Sequence, residues 1–434
     1  MLYPTSSESK LTKESSKLAI NGGTPICQKT WPTWPQSNPA TEKAVIDVLR
    51  SGRWTISGFT NGKSTQEQIF AAAFADFLGV KHCIPTDHGT SALELALAAC
   101  SVGPGDEVIV PGLTWVACPY AVLTNQAVPV LADVDPHTMC IAAESVQQLI
   151  TPKTKAVLVV HLYCRIADMT ALNLIAKEHN LVLIEDCAQA HGARWRGRSV
   201  GTIGKVGAFS MQQGKPMTSG EGGCCVTDDD ELADLIYRLR TDGRSFLPNV
   251  QALGKMQLWE HGGVAGRNHC LSDIQLAILT AQLKDLQDQN ARRRENAAYL
   301  TELLIQLPGV SIPNFHDPED EETYYHFAFF LNEEFLQGRS IGWVSEALSA
   351  ELGIWVHQPY VPLNRHPLYV PEEKHWVKQC TEAREAVRKD QFTLPYAEEV
   401  YGKTLLLHHS ILLAEHKDME LIAAAMKKVH EVGK

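Results

Sequence analysis

Four short runs between residues 107 and 184 are apolar at nearly every position, without the alternation of a half-exposed strand. They are Glu107–Val110, Ala127–Leu131, Ala156–His161, which stays apolar up to its final histidine, and Leu181–Ile184. Strands this uniformly apolar are covered on both faces, as in a mostly parallel sheet between layers of helices. The stretches around them carry helical spacing instead: Glu67–Leu78, Thr90–Cys100, Ala143–Ile150 and Met169–His179. The alternation predicts an α/β fold.

Beyond about residue 270 the pattern changes. Asp273–Asn290 reads as a long helix with Ile274, Ala277, Ile278, Ala281, Leu283 and Leu286 on its apolar face, continued by the charged stretch 291–295. Tyr324–Leu331 reads as a strand, Trp343–Glu351 as a helix and Met419–Val432 as a closing helix. This mixture predicts a smaller α+β domain over 286–434, following a large domain with an N-terminal arm over 19–285. A cleft between the two is the expected place for a ligand. Residues 1–18 lack an apolar core and read as a disordered polar tail.

Composition narrows the class without naming a function. The 434 residues are 44% hydrophobic and 21% charged, enough for a large core. A net charge of −11 without a basic stripe argues against a nucleic-acid partner. No apolar run approaches the ~20 residues of a membrane helix, so no membrane partner is expected. The 11 cysteines form no CxxC pair, which gives no sign of a metal site. Reduced, buried thiols in a cytoplasmic protein are the expectation.

The candidate chemistry lies at strand ends. Lys215 sits in Met211–Gly223, a run of small and polar residues after the short apolar strand at Phe209. Lysine forms Schiff bases with carbonyl compounds, and the nearby glycines let backbone pass close to a flat cofactor. Asp186 follows the strand Leu181–Ile184, at the edge where open α/β sheets bind ligands. A carboxylate there can hold a pyridine nitrogen protonated, although a turn cap is an equally ordinary role. Gly89 and Thr90 open a helix whose free N–H groups would suit a phosphate, or an ordinary cap. Trp115 follows the strand Glu107–Val110 and can lay an aromatic face on a planar ring, or simply be buried.

Taken together, the phosphate loop, aromatic, carboxylate and lysine occur in an order more specific than any one alone. The chain resembles the DegT/DnrJ/StrS sugar and aminocyclitol aminotransferases, over nearly its whole length from Ala19. The likeness rests on Asp87–Ala92, Val108–Trp115, Ile184–Gly192, Phe209–Lys215 and Ser219–Gly223. Within that family it is most similar to the glutamine-dependent enzymes acting on scyllo-inosose and 2-deoxy-scyllo-inosose in aminoglycoside biosynthesis. Trp54–Gly58, Phe209–Lys215, Gln358–Pro362 and His408–Leu413 carry that closer likeness.

The resemblance implies fold type I of the pyridoxal-phosphate-dependent transferases, with a seven-stranded type of sheet. It also implies pyridoxal 5′-phosphate as cofactor and transfer of an amino group from L-glutamine or L-glutamate to a ring ketone. Lys215 would bind the cofactor covalently and shuttle a proton, and Asp186 would pair with the pyridine nitrogen. Gln189 would sit near the ring hydroxyl, Trp115 would stack on the ring, and Gly89, Thr90 and Ser210 would cradle the phosphate. Asn268 would reach the phosphate of a neighbouring subunit, which implies a homodimer with shared sites. His161, Tyr163, Arg165, His357, Tyr360, Asn364 and His408 are candidates for substrate hydroxyls by position. Two residues depart from the family pattern: His88, before Gly89-Thr90, and Pro216, which directs Lys215 toward extended backbone. A nucleotide-linked keto-sugar acceptor is the competing reading, with Arg240, Arg244 and Arg267 as a possible basic rim. A 3-amino-5-hydroxybenzoate synthase and a non-catalytic regulator are minor alternatives.

Overall fold

The computed structural model describes residues 17–57, 63–247, 255, 258–260, 262–313 and 319–432. Nearly all of the expected tail and the end of the Trp54–Gly58 motif lie outside them. The expected tail does not reach residue 18, because Leu18 is buried in a core.

Seven strands form the main sheet: β1 (His82–Thr86), β2 (Glu107–Pro111), β3 (Val128–Ala132), β4 (Thr154–Val160), β5 (Val182–Asp186), β6 (Val206–Ser210) and β7 (Gly223–Thr227). Their order is β1-β7-β6-β5-β4-β2-β3. Only β7 runs against its neighbours; β6, β5, β4, β2 and β3 pair in parallel. The apolar runs therefore form strands within a residue or two of expectation. The sequence reading missed β1 and β7, whose Pro85 and Cys-rich Gly223–Thr227 lack an extended β-branched run.

The flanking helices include α1 (Gln66–Leu78), α2 (Gly89–Ala99), α3 (Ala117–Thr124), α4 (Ala143–Leu149) and α5 (Met169–Glu178). Local signals set their ends. Thr65 and Gln68 make a reciprocal capping box on α1, and Asp168 accepts from the Thr170 and Ala171 N–H groups on α5. Helix α2 differs, since its N-cap His88 makes no side-chain cap bond. Its first-turn N–H groups face the sheet edge without that competitor.

Helix α6 (Asp273–Leu304) has 32 residues, so at 1.5 Å rise per residue it spans about 48 Å. Its first half (Leu276, Leu279, Leu286) packs into the main core, and its last turns (Ala297, Leu300, Leu304) into a second core. The expected boundary at 285/286 falls inside this continuous helix. The second core surrounds a three-stranded antiparallel sheet of β8 (Val310–Ser311), β9 (His326–Leu331) and β10 (Thr404–His408). Its middle strand alternates between cores. Phe327, Phe329 and Leu331 join the second core, whereas Ala328 and Phe330 join the main one. This period of two explains why the run shows no polar face.

Helix-borne residues from Phe335 to Leu352 stay with the second core, but the stretch 363–397 does not. Leu363, Tyr369, Val377, Leu394 and Ala397 return to the main core, while Leu18, Cys27 and Trp31 cross from the N-terminal arm to the second. Each fully buried aliphatic or aromatic side chain contributes about 1.5–3 kcal/mol of transfer free energy. Those exchanges hold the two cores against each other.

Candidate active site

Parallel pairing brings the carboxyl ends of β4, β5 and β6 to one edge: Asp186 stands opposite Val160 on one side and Ala208 on the other. Antiparallel β7 bridges β6 to β1, with Gly223 paired to both Ser210 and Thr86. That register sets Ser210 beside the loop entering α2. Two glycines allow the approach. A Cβ on Gly89 would lie 2.5 Å from the Ser210 Cβ, and one on Gly223 would lie 2.5 Å from the His88 carbonyl. A side chain at either position would push the loop off the edge.

At this edge lies a cavity of about 410 Å³, lined by Gly89, Thr90, Trp115, Asp186, Gln189, Ser210 and Lys215, among others. Seven expected cofactor residues thus converge. Asp186 is buried, its Oδ1 accepting from the Ala188 N–H at 2.9 Å and its Oδ2 from the Cys118 thiol at 3.0 Å. Burial, with the Asp186 charge beside it, pushes the Cys118 thiol well up, so it stays a donor. Gln189 is oriented by accepting the Tyr163 N–H at 2.8 Å. Trp115 is 46% exposed, as a ring that must offer a face has to be, and lies 5.6 Å from the Tyr360 ring. The Lys215 Nζ lies 4.2 Å from the Tyr325 ring centre, and no carboxylate pairs with it among the described residues.

His88 and Glu221 close one side, His88 Nδ1 lying 3.1 Å from Glu221 Oε2. The ring thus turns to a carboxylate and does not cap the first-turn N–H groups of α2. Pro216 is buried beneath the loop.

Several expected substrate residues lie elsewhere. His161 is 1% exposed and sits under the sheet edge, its Nε2 3.1 Å from Glu185 Oε2. Tyr163 is equally buried, its hydroxyl accepting the Tyr360 N–H at 2.8 Å, so it supports the cavity wall from behind. Arg165 is buried in an ion pair with Glu322 and also donates to the Pro313 carbonyl. His357 stacks on Trp355 at 3.9 Å, and Asn364 donates to the Phe392 carbonyl. None of these five lines the cavity; Tyr360 does, and His408 lines the adjoining opening with Trp34, Gln212 and Glu221. The reason is direction, because a residue just past a strand end points into the sheet's core as easily as out of it. Asn268 is exposed outside the cavity, its Oδ1 accepting from the Cys270 N–H at 3.2 Å. Arg240 cannot form a basic rim. It is fully buried and paired with both oxygens of Glu67 at 2.8 and 2.9 Å. Arg244 turns to Asp242 and the Thr241 carbonyl.

The sequence reading missed Thr114, Cys118, Gln212, Glu221 and Tyr325 in the lining. Cys118 stands four residues after Thr114 in the first turn of α3, and its thiol lies 3.5 Å from the Thr114 hydroxyl. The ligand atoms of His161, Glu185 and Cys187 lie within 4.8 Å of one another. Glu185 is nevertheless satisfied by protein, accepting from the Gly201, Ile203 and Gly204 N–H groups at 2.6–2.8 Å besides its contact with His161.

Known proteins share this frame. The model of the DegT/DnrJ/EryC1/StrS aminotransferase family matches residues 35–405. The chain belongs to that family. An L-glutamine:2-deoxy-scyllo-inosose aminotransferase of Streptomyces kanamyceticus is 46% identical, with 96% of this chain and 97% of that protein covered. An L-glutamine:scyllo-inosose aminotransferase of Streptomyces griseus is 44% identical over 95% of this chain and 97% of its own. Among solved structures, a 3-amino-5-hydroxybenzoic acid synthase superposes with a TM-score of 0.76 at 30% identity, covering 92% of this chain and 98% of that one. An aminotransferase from Psychrobacter cryohalolentis gives 0.78 at 28% identity, covering 92% and 98%.

This family member is therefore an aminotransferase of fold type I, and its cofactor is pyridoxal phosphate. The residues fit that group. The α2 terminus without a side-chain cap, the glycine-tight cradle at Ser210, the carboxylate at the β5 end and an amine without a carboxylate partner all face one cavity. All 11 cysteines are free thiols, and among the described residues no helix is long and apolar enough to cross a membrane.

Proposed function

We propose that this enzyme moves an amino group from L-glutamine to the ketone of a polyhydroxylated ring, a keto-cyclitol of the scyllo-inosose or 2-deoxy-scyllo-inosose type. The observation that carries the reading is end-to-end likeness, at 44–46% identity, to relatives whose names specify that donor and those acceptors. The burial of Arg240 supports it too, because a nucleotide diphosphate needs exposed cations and that rim loses one of its three arginines.

Pyridoxal phosphate, when bound, supplies an electron sink for charge developing at the donor carbon. Around it, Gly89, Thr90 and Ser210 would hold the phosphate at the positive end of α2. The Asp186 carboxylate would keep the pyridine nitrogen protonated, with Ala188 N–H and the Cys118 thiol fixing its orientation. Trp115 would cover one ring face and Gln189 would reach its hydroxyl side. Lys215 would carry the proton between the donor carbon and the cofactor in one half-reaction and return it in the other. Tyr360 and Trp115 form the wall against which a ring substrate would rest.

Asn268, exposed outside its own cavity, would complete the site of a second copy in a homodimer. Eleven unpaired thiols support a reducing compartment such as the cytoplasm. The deciding experiment is amino transfer from glutamine to a panel of keto-cyclitols and nucleotide-linked keto-sugars. Turnover of the keto-cyclitols is expected. Turnover of only the nucleotide-linked sugars would replace this reading with its competitor.

A further inference from the structure

The loop that carries Lys215 has no strand or helix of its own between Met211 and Gly222, so other parts of the molecule must hold the lysine. Two consecutive carbonyls of that loop receive aromatic ring donors from distant segments. The Trp34 Nε1–H donates to the Lys215 carbonyl at 3.0 Å, and the His409 Nε2–H donates to the Gly214 carbonyl at 3.1 Å. The two rings meet edge to face, with centroids 4.7 Å apart at 81°. Trp34 comes from the N-terminal arm and His409 from just beyond β10, at the far end of the chain.

We propose that Trp34 and His409 are positioning residues for Lys215, gripping the peptide on both sides of its Cα and so fixing where its amine enters the cavity. The surroundings keep that grip available. Beneath the Trp34 ring lies the Arg293 guanidinium, 5.4 Å from the ring centre and fully buried, held by Asn290 Oδ1 at 2.9 Å with no carboxylate partner among the described residues. Its charge reinforces the effect of burial in pushing His409 well down. A neutral imidazole carries a single N–H, and the Gly214 carbonyl selects Nε2 for it. Among the described residues His409 Nδ1 has no partner, so the ring's polar contact there is with the lysine loop. On the other side, the Lys215 N–H donates to the Gln212 carbonyl and the Gly214 N–H to Gln212 Oε1, which completes the turn. A lysine that must reach both cofactor and substrate carbon loses rate if its backbone wanders.

The inference rests on Lys215 being the lysine that bonds the cofactor, and the test keeps the two claims apart. Apoprotein is mixed with pyridoxal phosphate, and the visible band of the lysine–cofactor bond is followed in time and titrated with pH. Borohydride then traps the bond for peptide mapping. Trp34→Phe keeps an aromatic ring but removes the N–H together with the pyrrole half of the indole; His409→Phe removes the second donor; His409→Gln restores an N–H near the Nε2 position. Trp34→Phe and His409→Phe are each expected to slow bond formation about three- to tenfold and to move the pH midpoint of the band. His409→Gln should recover most of the rate, and the slowing in both phenylalanine variants should persist at temperatures well below their melting points. Unchanged rates and midpoints in both phenylalanine variants, with the cofactor still trapped on Lys215, would overturn the grip and leave the lysine assignment standing. Slowing that appears only together with lost thermal stability, and is not recovered in His409→Gln, would reduce both residues to packing. Trapping on another lysine would remove the assignment itself.

Discussion

The two walls of the cavity are built by different means. The floor, from Asp186, Ser210 and the start of α2, stands on the parallel sheet, and each polar group there is steered by a neighbour close in the fold's register. The opposite wall, with Tyr325, Tyr360 and the histidines behind them, is assembled from segments that meet only when the second core closes on the first. The floor tolerates almost no alternative, because strand pairing sets both position and direction. On the far wall the same residue types, His and Tyr, face in or out according to packing. His326, His357, His408 and His409 form one cluster there, with neighbouring ring centres 4.2–5.8 Å apart. Burial is the main cause that lowers the pKa of all four, so these rings stay neutral.

The difference is open to attack at several points. Asp186→Asn should have the largest effect, leaving the cofactor bound but slowing abstraction of the donor proton by about 10³-fold or more. Stopped-flow spectra and exchange of the glutamine α-proton would read this step. Near-normal exchange would move the pyridine partner away from Asp186.

Next comes the carboxylate under the floor. Glu185→Leu strands three backbone N–H donors and His161, and should cost about 3–5 kcal/mol of stability by urea unfolding. A loss below about 1 kcal/mol would mean that water replaces the carboxylate and that the floor is softer than its hydrogen bonds suggest.

The neutral histidines predict a smaller, pH-dependent effect. Burial is the main cause that pushes His408, in that cluster, down to about 4, and His191, which lies beyond β5 with its ring against Phe209, down to about 3. The unfolded chain, with ordinary values near 6.5, then binds more protons than the folded one as pH falls below that point. Stability is full above about pH 6.5 and declines on acidification, by about 2 kcal/mol between pH 6 and pH 5 for this pair. Melting temperatures across that interval check it, and a flat profile would show that water reaches these rings.

The smallest predicted effect tests assembly. Asn268→Ala should weaken cofactor retention by about 1.5 kcal/mol, the value of one hydrogen bond to a charged group. Mixing Lys215→Ala with Asn268→Ala chains at limiting cofactor should restore activity that neither parent shows. An active monomer at assay concentration would end the shared-site idea.

What the amino-acid sequence determined by itself is the floor. Uniformly apolar runs can settle only as buried parallel strands, and parallel strands deliver whatever follows them to one edge. Asp186, Trp115 and the entry to α2 were legible for that reason, Lys215 because it follows β6 within a turn, and Ser210 only through the family resemblance. Boundaries were accurate to a residue or two wherever a cap or a glycine marked them. Tertiary structure alone decided the rest. His161 and Tyr163 stand just past β4, and nothing in their spacing says that Glu185 and Tyr360 claim them from within. Arg240 reads as a rim cation until Glu67, far away in the chain, encloses it. Trp34 and His409 meet over Lys215 only because the arm and the segment after β10 pack against α6. A local pattern fixes which way a strand runs, but the partner of a buried polar group comes from anywhere in the chain, and only packing selects it.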